Sequence, residues 1–308
     1  MNIIDLHCDT LSAITVNRKE LFSNSGHFDL VRGLESGIKI QFMAIFAGPQ
    51  ESTAALAEVC RQIEYYENQV HANQEFIYKL LSRQDLDANW TGKGIGGILH
   101  LEGAEALGKD KDILEFLFES GLRSMGLTWN NSNLLSGGIG AGKDAGGLSR
   151  WGREVVQEMD KMGIILDGAH ISERGYFDLL EVYNKPLLVT HANSRTLCPH
   201  PRNLSDKQLL ALKENGGIIG ITQVSDFVKE PGASLEDLLD HIVYIADLIG
   251  VKHLALGSDF DGAEDIVMPG VEGYIIWPEL LTGRGFTPDE IDMILYRNAL
   301  KIVSGILR

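Results

Sequence analysis

The feature that most narrows what this chain can become is an alternation. Short apolar, β-branched runs recur along nearly the whole length, each followed by a segment in which apolar residues return at helical spacing. Parallel strands need a long crossover, and a helix is the usual one, so this pattern predicts an α/β fold with a parallel sheet. About eight runs can be marked, near Asn2–His7, Ile38–Phe46, Ile95–Leu101, Leu122–Trp129, Gly163–Leu166, Pro186–Thr190, Gly217–Thr222 and His253–Gly257, the number a closed (β/α)8 TIM barrel requires. No Pro/Ser-rich linker, charge block or internal repeat divides the 308 residues. The economical expectation is one barrel domain over 1–308.

The helices have local signals of their own. Ser205 with Gln208 three residues on, an apolar face through Leu209, Leu210 and Leu212, and a stop at Gly216 read as a capped helix. Thr287-Pro288-Asp289-Glu290 opens the last helix, with proline at the first helical position and acids in the first turn. Thr53–Ser82 is the longest helical stretch, expected to divide into two helices. Between Leu134 and Leu148, Gly137, Gly138, Gly140, Gly142, Gly146 and Gly147 crowd a stretch without apolar period. This predicts a mobile loop, placed after the fourth strand where it could cover a substrate.

Acidic side chains outnumber basic ones 43 to 27, for a formal charge of −16. Phosphate would meet a repelling surface, which argues against a nucleic-acid partner. No run approaches 18 consecutive apolar residues, so no membrane span is expected. The opening Met1-Asn2-Ile3-Ile4-Asp5-Leu6-His7 has no basic region followed by an apolar one, and the three cysteines, Cys8, Cys60 and Cys198, are odd in number and far apart. Both point to a reducing compartment, and the expected location is cytoplasmic.

Two glycine motifs mislead. Gly137–Lys143 fits GxxxxGK, but Asp144 stands where a phosphate loop needs Ser or Thr. Gly92–Gly97 fits GxGxxG, yet it precedes a strand, whereas a dinucleotide fingerprint follows one and opens a helix.

Chemistry gathers at the C-terminal ends of the predicted strands, the barrel face that carries active sites. His7 and Asp9 flank Cys8 at the end of the first run, and residues two apart on an extended chain point the same way. Alone, such a pair could equally be a structural hydrogen bond. Glu102 ends the third run, His170 follows Asp167-Gly168-Ala169, His191 follows Thr190, and Asp259 follows Gly257-Ser258. Imidazoles joined by carboxylates suit divalent zinc or a similar borderline metal, and two ions about 3.5 to 4 Å apart can share a carboxylate and a water. Metal is expected to make that water a nucleophile for hydrolysis near neutral pH.

The motifs DLHCDT at the start, HLEGAEAL around Glu102, MGIILDGAHIS around His170, THANSR around His191, HPRNLSD around Arg202 and LGSDFDG around Asp259 resemble, in order and spacing, the membrane dipeptidase (renal dipeptidase) family of zinc metallopeptidases, a branch of the amidohydrolase-type barrels. The resemblance spans essentially the full chain. It implies one zinc held by His7, Asp9 and Glu102, a second held by Glu102, His170 and His191, and hydrolysis of small dipeptides, with a D-residue tolerated at the C-terminal side. Asp259 matches the carboxylate that takes a proton from the attacking water and passes it to the leaving amine. Arg202 matches the arginine that holds substrate, and its planar fork suits the free carboxylate of a dipeptide. A departure occurs on the fourth strand. Mammalian members carry a histidine after Leu-Thr that polarises the substrate carbonyl, whereas this chain reads Leu127-Thr128-Trp129-Asn130. An indole donates one N–H and accepts nothing. Trp129 and Asn130 are therefore candidate substrate contacts, with Asn130 or Asn131 as a substitute donor.

Other candidates have blander readings. His100 shares the parity of Glu102 and is expected to support ligands rather than bind metal. His253, at a strand start, and His241, in the apolar helix Leu235–Ile249, read as structural. His200 reads as a loop residue near the pocket or in solvent, His27 and His71 lack context, Cys8 reads as a small buried hydrophobe, and Asp261 as a turn residue before Gly262. Two competing functions stay open: a related dinuclear amidohydrolase acting on another N-acyl amino acid, lactone or phosphoester, and a non-catalytic metal-binding protein. A homodimer is also left open.

Overall fold

The computed structural model describes all residues, Met1–Arg308. The parallel strands are β1 (Ile3–Cys8), β2 (Ile38–Phe46), β3 (Ile77–Lys79), β4 (Ile95–Glu102), β5 (Leu122–Gly126), β6 (Ile165–Asp167), β7 (Leu188–Ala192), β8 (Ile218–Ile221) and β9 (Leu254–Leu256). Their order is β2-β1-β9-β8-β7-β6-β5-β4-β3, and β2 also pairs with β4 from Ile40↔Gly96 to Phe46↔Glu102. That last pairing closes the ring into an eight-stranded (β/α)8 barrel with β3 outside the count. The strands are nearly all buried on both faces, which explains why they read as continuous apolar runs rather than as alternating ones.

All eight anticipated runs correspond to barrel strands. The addition is β3. The segment anticipated as two helices over Thr53–Ser82 is instead one helix, Ser52–Ala72, followed by β3 and then a short helix, Arg83–Asn89. Phe76, Ile77 and Tyr78 are aromatic or β-branched, and β3 takes the edge of β4 from Ile95 to Gly97 before β5 takes it from Leu99 onward. The misleading glycines have a packing reason. A Cβ on Gly96 would stand 2.9 Å from the Tyr78 hydroxyl, and one on Gly97 would collide with the hydroxyl of Tyr66.

One apolar cluster lies inside the barrel, since Ile4, Leu6, Phe42, Ile98, Leu188 and Ile218 come from strands all round the ring. Ala299, Ile302 and Val303 of the C-terminal helix join it. A larger cluster packs the helices against the outside of the strands. The capped helices form as the sequence indicates: Ser205 and Gln208 make a reciprocal capping box with Gly216 left-handed at the far end, and Thr287 and Glu290 make another. Apolar filling in the barrel leaves the rim for polar residues.

The glycine-rich segment 134–148 is fastened rather than free. Ile139 N–H donates to the His170 carbonyl (2.8 Å), Gly140 N–H to the Asn130 carbonyl (2.7 Å), and Ser172 N–H to the Gly137 carbonyl (2.9 Å). Side chains on Gly137 and Gly138 would run into the backbone of Gly146 and Asn131. Close approach, not mobility, accounts for these two glycines.

The tightest approach in the barrel wall is at Gly257 and Gly220, where an added Cβ on either would strike the Thr190 carbonyl. Gly257→Ala is expected to destabilise the protein by about 2 kcal/mol or more through forced backbone displacement. The measurement is a lower urea midpoint with unchanged slope.

Candidate active site

The rim is built from strand ends that turn sharply. β1 carries a register shift between Asp5 and Cys8, and Asp9, the residue before the helix Thr10–Asn17, makes no capping bond with its side chain. Its carboxylate turns instead to His7, Oδ2 standing 3.2 Å from Nε2. Glu102 ends β4, His191 lies within β7, and His170 and Asp259 follow β6 and β9 in left-handed conformation, with φ of 61° and 65°. Left-handed backbone is costly for a residue with a Cβ, and such residues gather at functional sites.

These side chains converge. Glu102 Oε1 lies 2.8 Å from His170 Nε2, 3.6 Å from His191 Nε2 and 3.9 Å from His7 Nε2. His7, Asp9 and Glu102 form one group whose donor atoms all lie within 4.8 Å of one another, and Glu102, His170 and His191 form another. His7, His191 and Asp259 form a third, with Asp259 Oδ1 at 3.9 Å from His7 Nε2. The carboxylate at the end of β4 is thus common to two donor sets, and all the rim residues singled out in the sequence come together.

The donor chemistry fits metal. His170 Nδ1 stands 2.9 Å from Asn130 Oδ1, which can only accept, so the proton sits on Nδ1. The Thr190 hydroxyl donates to Asp167 Oδ2 (2.7 Å) and so accepts from His191 Nδ1–H (2.8 Å). Both imidazoles are left with bare Nε2 lone pairs 2.8 Å apart, facing a carboxylate oxygen. Lone pairs crowded in this way repel unless a cation lies among them. Charge says the same. Burial presses the His7 imidazole toward neutrality, yet Asp9, Glu102 and Asp259 outweigh it and lift its pKa to about 10. Burial, then Asp9, pushes Glu102 well up, and Asp259 is raised to about 6, chiefly by burial. Burial holds His170 and His191 well below their ordinary value.

Arg202 is 5% exposed, and its Nη2 donates to the His191 carbonyl (3.1 Å) while Nε has no partner. The guanidinium lies behind Phe227, 5.5 Å from the ring centre. Trp129 and Asn130 lie beyond the end of β5, which stops at Gly126 rather than running to Trp129 as the sequence suggests. Both line the cleft, a space of about 450 Å³ above the donor groups, and Trp129 packs on Phe46 at 5.3 Å. Asn130 has a second task, as the hydrogen-bond partner of His170. None of residues 134–148 lines the cleft, so the expected cover is absent from its walls.

The remaining histidines fall mostly as anticipated. His100 meets the His7 ring edge-on at 5.4 Å and bonds Ser124 (2.9 Å), a supporting position. His253 bonds the Gly217 carbonyl, and His241 is buried between Ser194 and Val228. His200 stacks on Phe227 at 4.5 Å. His27, without context in the sequence, accepts from Asp261 N–H, while Asp261 in turn accepts from Thr10 and from His27 N–H. Cys8 is buried against Met43.

Asp5 escaped the sequence reading. Its Oδ1 accepts from the His7 and Ser258 N–H groups (3.1 and 2.9 Å) and its Oδ2 from the Tyr274 hydroxyl (2.8 Å). A fully buried carboxylate thereby ties the end of β1 to the end of β9, each one residue or less from a rim side chain. An acid inside an apolar strand was the available signal. The Asp167–Thr190–His191 chain was equally unannounced.

A family profile described as membrane dipeptidase (peptidase family M19) matches residues 1–306. The dipeptidase aclJ of Aspergillus oryzae is 29% identical over 297 residues, covering 91% of this chain and 70% of that protein. Among solved structures, a metallopeptidase called dipeptidase AC superposes with a TM-score of 0.93 at 27% identity, covering 100% of this chain and 99% of its own. A Rhodobacter sphaeroides metallopeptidase bound to a phosphinate mimic of the dipeptide L-Ala-D-Ala gives 0.92 at 26%, with 99% of both chains covered.

Thr190→Val removes the hydroxyl through which Asp167 orients His191. Metal affinity is expected to fall about 10- to 100-fold, the usual effect of losing an orienting partner. Chelator competition on the refilled protein measures it.

Proposed function

Starting from the chain's membership of the membrane dipeptidase family (peptidase family M19), a family of metallopeptidases, we propose that this protein cleaves free dipeptides at a dinuclear metal centre. The observation that carries the reading is the sharing of Glu102 between two donor sets. His7, Asp9 and Glu102 would hold one divalent ion and Glu102, His170 and His191 the other, with zinc favoured by imidazole and carboxylate donors. Bound ions would supply an activated water and polarisation of the scissile carbonyl.

The chain's own groups account for the rest. Asp259, with Oδ1 3.9 Å from His7 Nε2, would hold the proton lost by water and deliver it to the leaving amine. Arg202 has a buried Nε without partner, and a substrate carboxylate arriving past Phe227 would satisfy it. A clamp there requires that a single residue follow the scissile bond, as it does in a dipeptide. Trp129 and Phe46 give the cleft an aromatic wall, and Asn130, held to His170, directly follows the position where mammalian members of the family place histidine. The L-Ala-D-Ala mimic carried by the Rhodobacter sphaeroides enzyme supports extending the range to a C-terminal D-residue.

Asp259→Asn is expected to abolish dipeptide cleavage with metal content retained, as read by elemental analysis beside a dipeptide panel. Retained cleavage would transfer the proton role elsewhere. Arg202→Ala is expected to raise KM for free dipeptides while hardly changing C-terminally amidated analogues. Equal effects on both would remove the clamp. Two metals per chain with no turnover of L,L, L,D or D,L dipeptides would favour hydrolysis of another N-acyl compound.

A further inference from the structure

The cleft is one-sided in charge. Asp9, Glu58, Glu102, Asp259 and Asp261 all line it, and no lysine or arginine does. Asp9, Glu102 and Asp259 belong to the metal-binding and proton-handling groups. Glu58 does not.

Glu58 stands on the helix Ser52–Ala72, which follows β2, whereas Arg202 follows β7. In the ring order β2-β1-β9-β8-β7 these strands are opposite each other across the eight-stranded barrel. A dipeptide whose C-terminal carboxylate lies toward Arg202 therefore directs its N-terminal residue toward Glu58. Phe46, Ala13 and Val16 line the cleft together with this carboxylate and give it apolar neighbours. Such a lining matches a side chain with a methylene stem and a cationic tip.

The wall holding Glu58 is built, not incidental. Gln62, almost fully buried, accepts from the Ser12 hydroxyl (2.8 Å) and Phe46 N–H (3.1 Å), and donates to the Phe46 carbonyl (2.8 Å) and to Glu58 Oε1 (2.6 Å). Arg61 grips the same carboxylate with two bonds, 2.9 and 2.6 Å, from the neighbouring recess that it lines with Val16 and Phe46, and is not itself part of the cleft wall. Glu58 is thus fixed in place and kept ionised by that pairing while it lines the substrate space.

We propose that Glu58 is a specificity-determining residue that makes this enzyme prefer dipeptides with a cationic N-terminal residue, such as lysine or arginine, over acidic ones. This rests on the dipeptidase reading and on the orientation set by Arg202. The test compares kcat/KM for L-Lys-L-Ala, L-Ala-L-Ala and L-Glu-L-Ala on the metal-loaded protein. Lysine is expected to exceed glutamate by about tenfold, the swing one partly exposed charge contact gives between opposite signs, and the ratio should shrink in high salt. In Glu58→Gln the lysine-to-glutamate ratio is expected to fall to about two. A wild-type ratio near one, or a ratio unchanged by Glu58→Gln, overturns the proposal. If none of the three peptides is turned over, the dipeptidase reading falls instead, and calorimetric binding of the same peptides still decides the charge preference.

Discussion

A carboxylate buried among three imidazoles organises this molecule. Glu102 is 6% exposed, and burial alone would drive it toward the neutral form. Its surroundings supply lone pairs from His170 and His191 and further negative charge from Asp9 and Asp259, so that no arrangement of protons alone makes the pocket comfortable. The barrel holds these groups together because each is anchored at a strand end and the strands are joined all round by backbone hydrogen bonds. The β2–β4 pairing brings Phe46 beside Glu102, so the aromatic wall of the cleft and the central carboxylate rest on the same closure.

Strain and support are matched at the rim. His170 and Asp259 take left-handed backbone that only a well-determined environment maintains. For Asp259 that environment includes Asp5, which accepts from the neighbouring Ser258 N–H, and the His7 carbonyl, which accepts from Asp259 N–H at 3.1 Å and from the Ser258 hydroxyl at 2.9 Å. For His170 it is Asn130 on one side and Ile139 N–H on the other. The two residues are set by different parts of the chain, which lets either be adjusted without moving the other.

Much of this was legible in the amino-acid order. Buried parallel strands announce themselves as apolar runs, and the polar residues that end them, His7, Glu102, His191 and Asp259, mark the rim because nothing structural requires them there. Local caps at Ser205 and Thr287 were equally plain, since capping needs only neighbours. Three kinds of information were hidden. β3 depends on an edge that β4 offers only at its start, a tertiary opportunity that helical spacing before it obscured. The glycines at 137 and 138 serve close backbone contact with Asn131 and Gly146, whereas composition alone suggests slackness. Asp5, Thr190 and Gln62 act by holding other residues, and such partners lie far away in sequence, as Tyr274 does from Asp5 and Ser12 from Gln62.

The glycine-rich segment behaves as a splint. Its amides clasp the carbonyls of Asn130 and His170, the two residues whose side chains also bond to each other, and Ser172 secures it again just past His170. Length changes in such a segment cannot be absorbed at the surface as they are in ordinary connectors. Nicking or lengthening the chain there would loosen the imidazole from its backbone side, so related proteins can vary this stretch only by rebuilding that grip in another form.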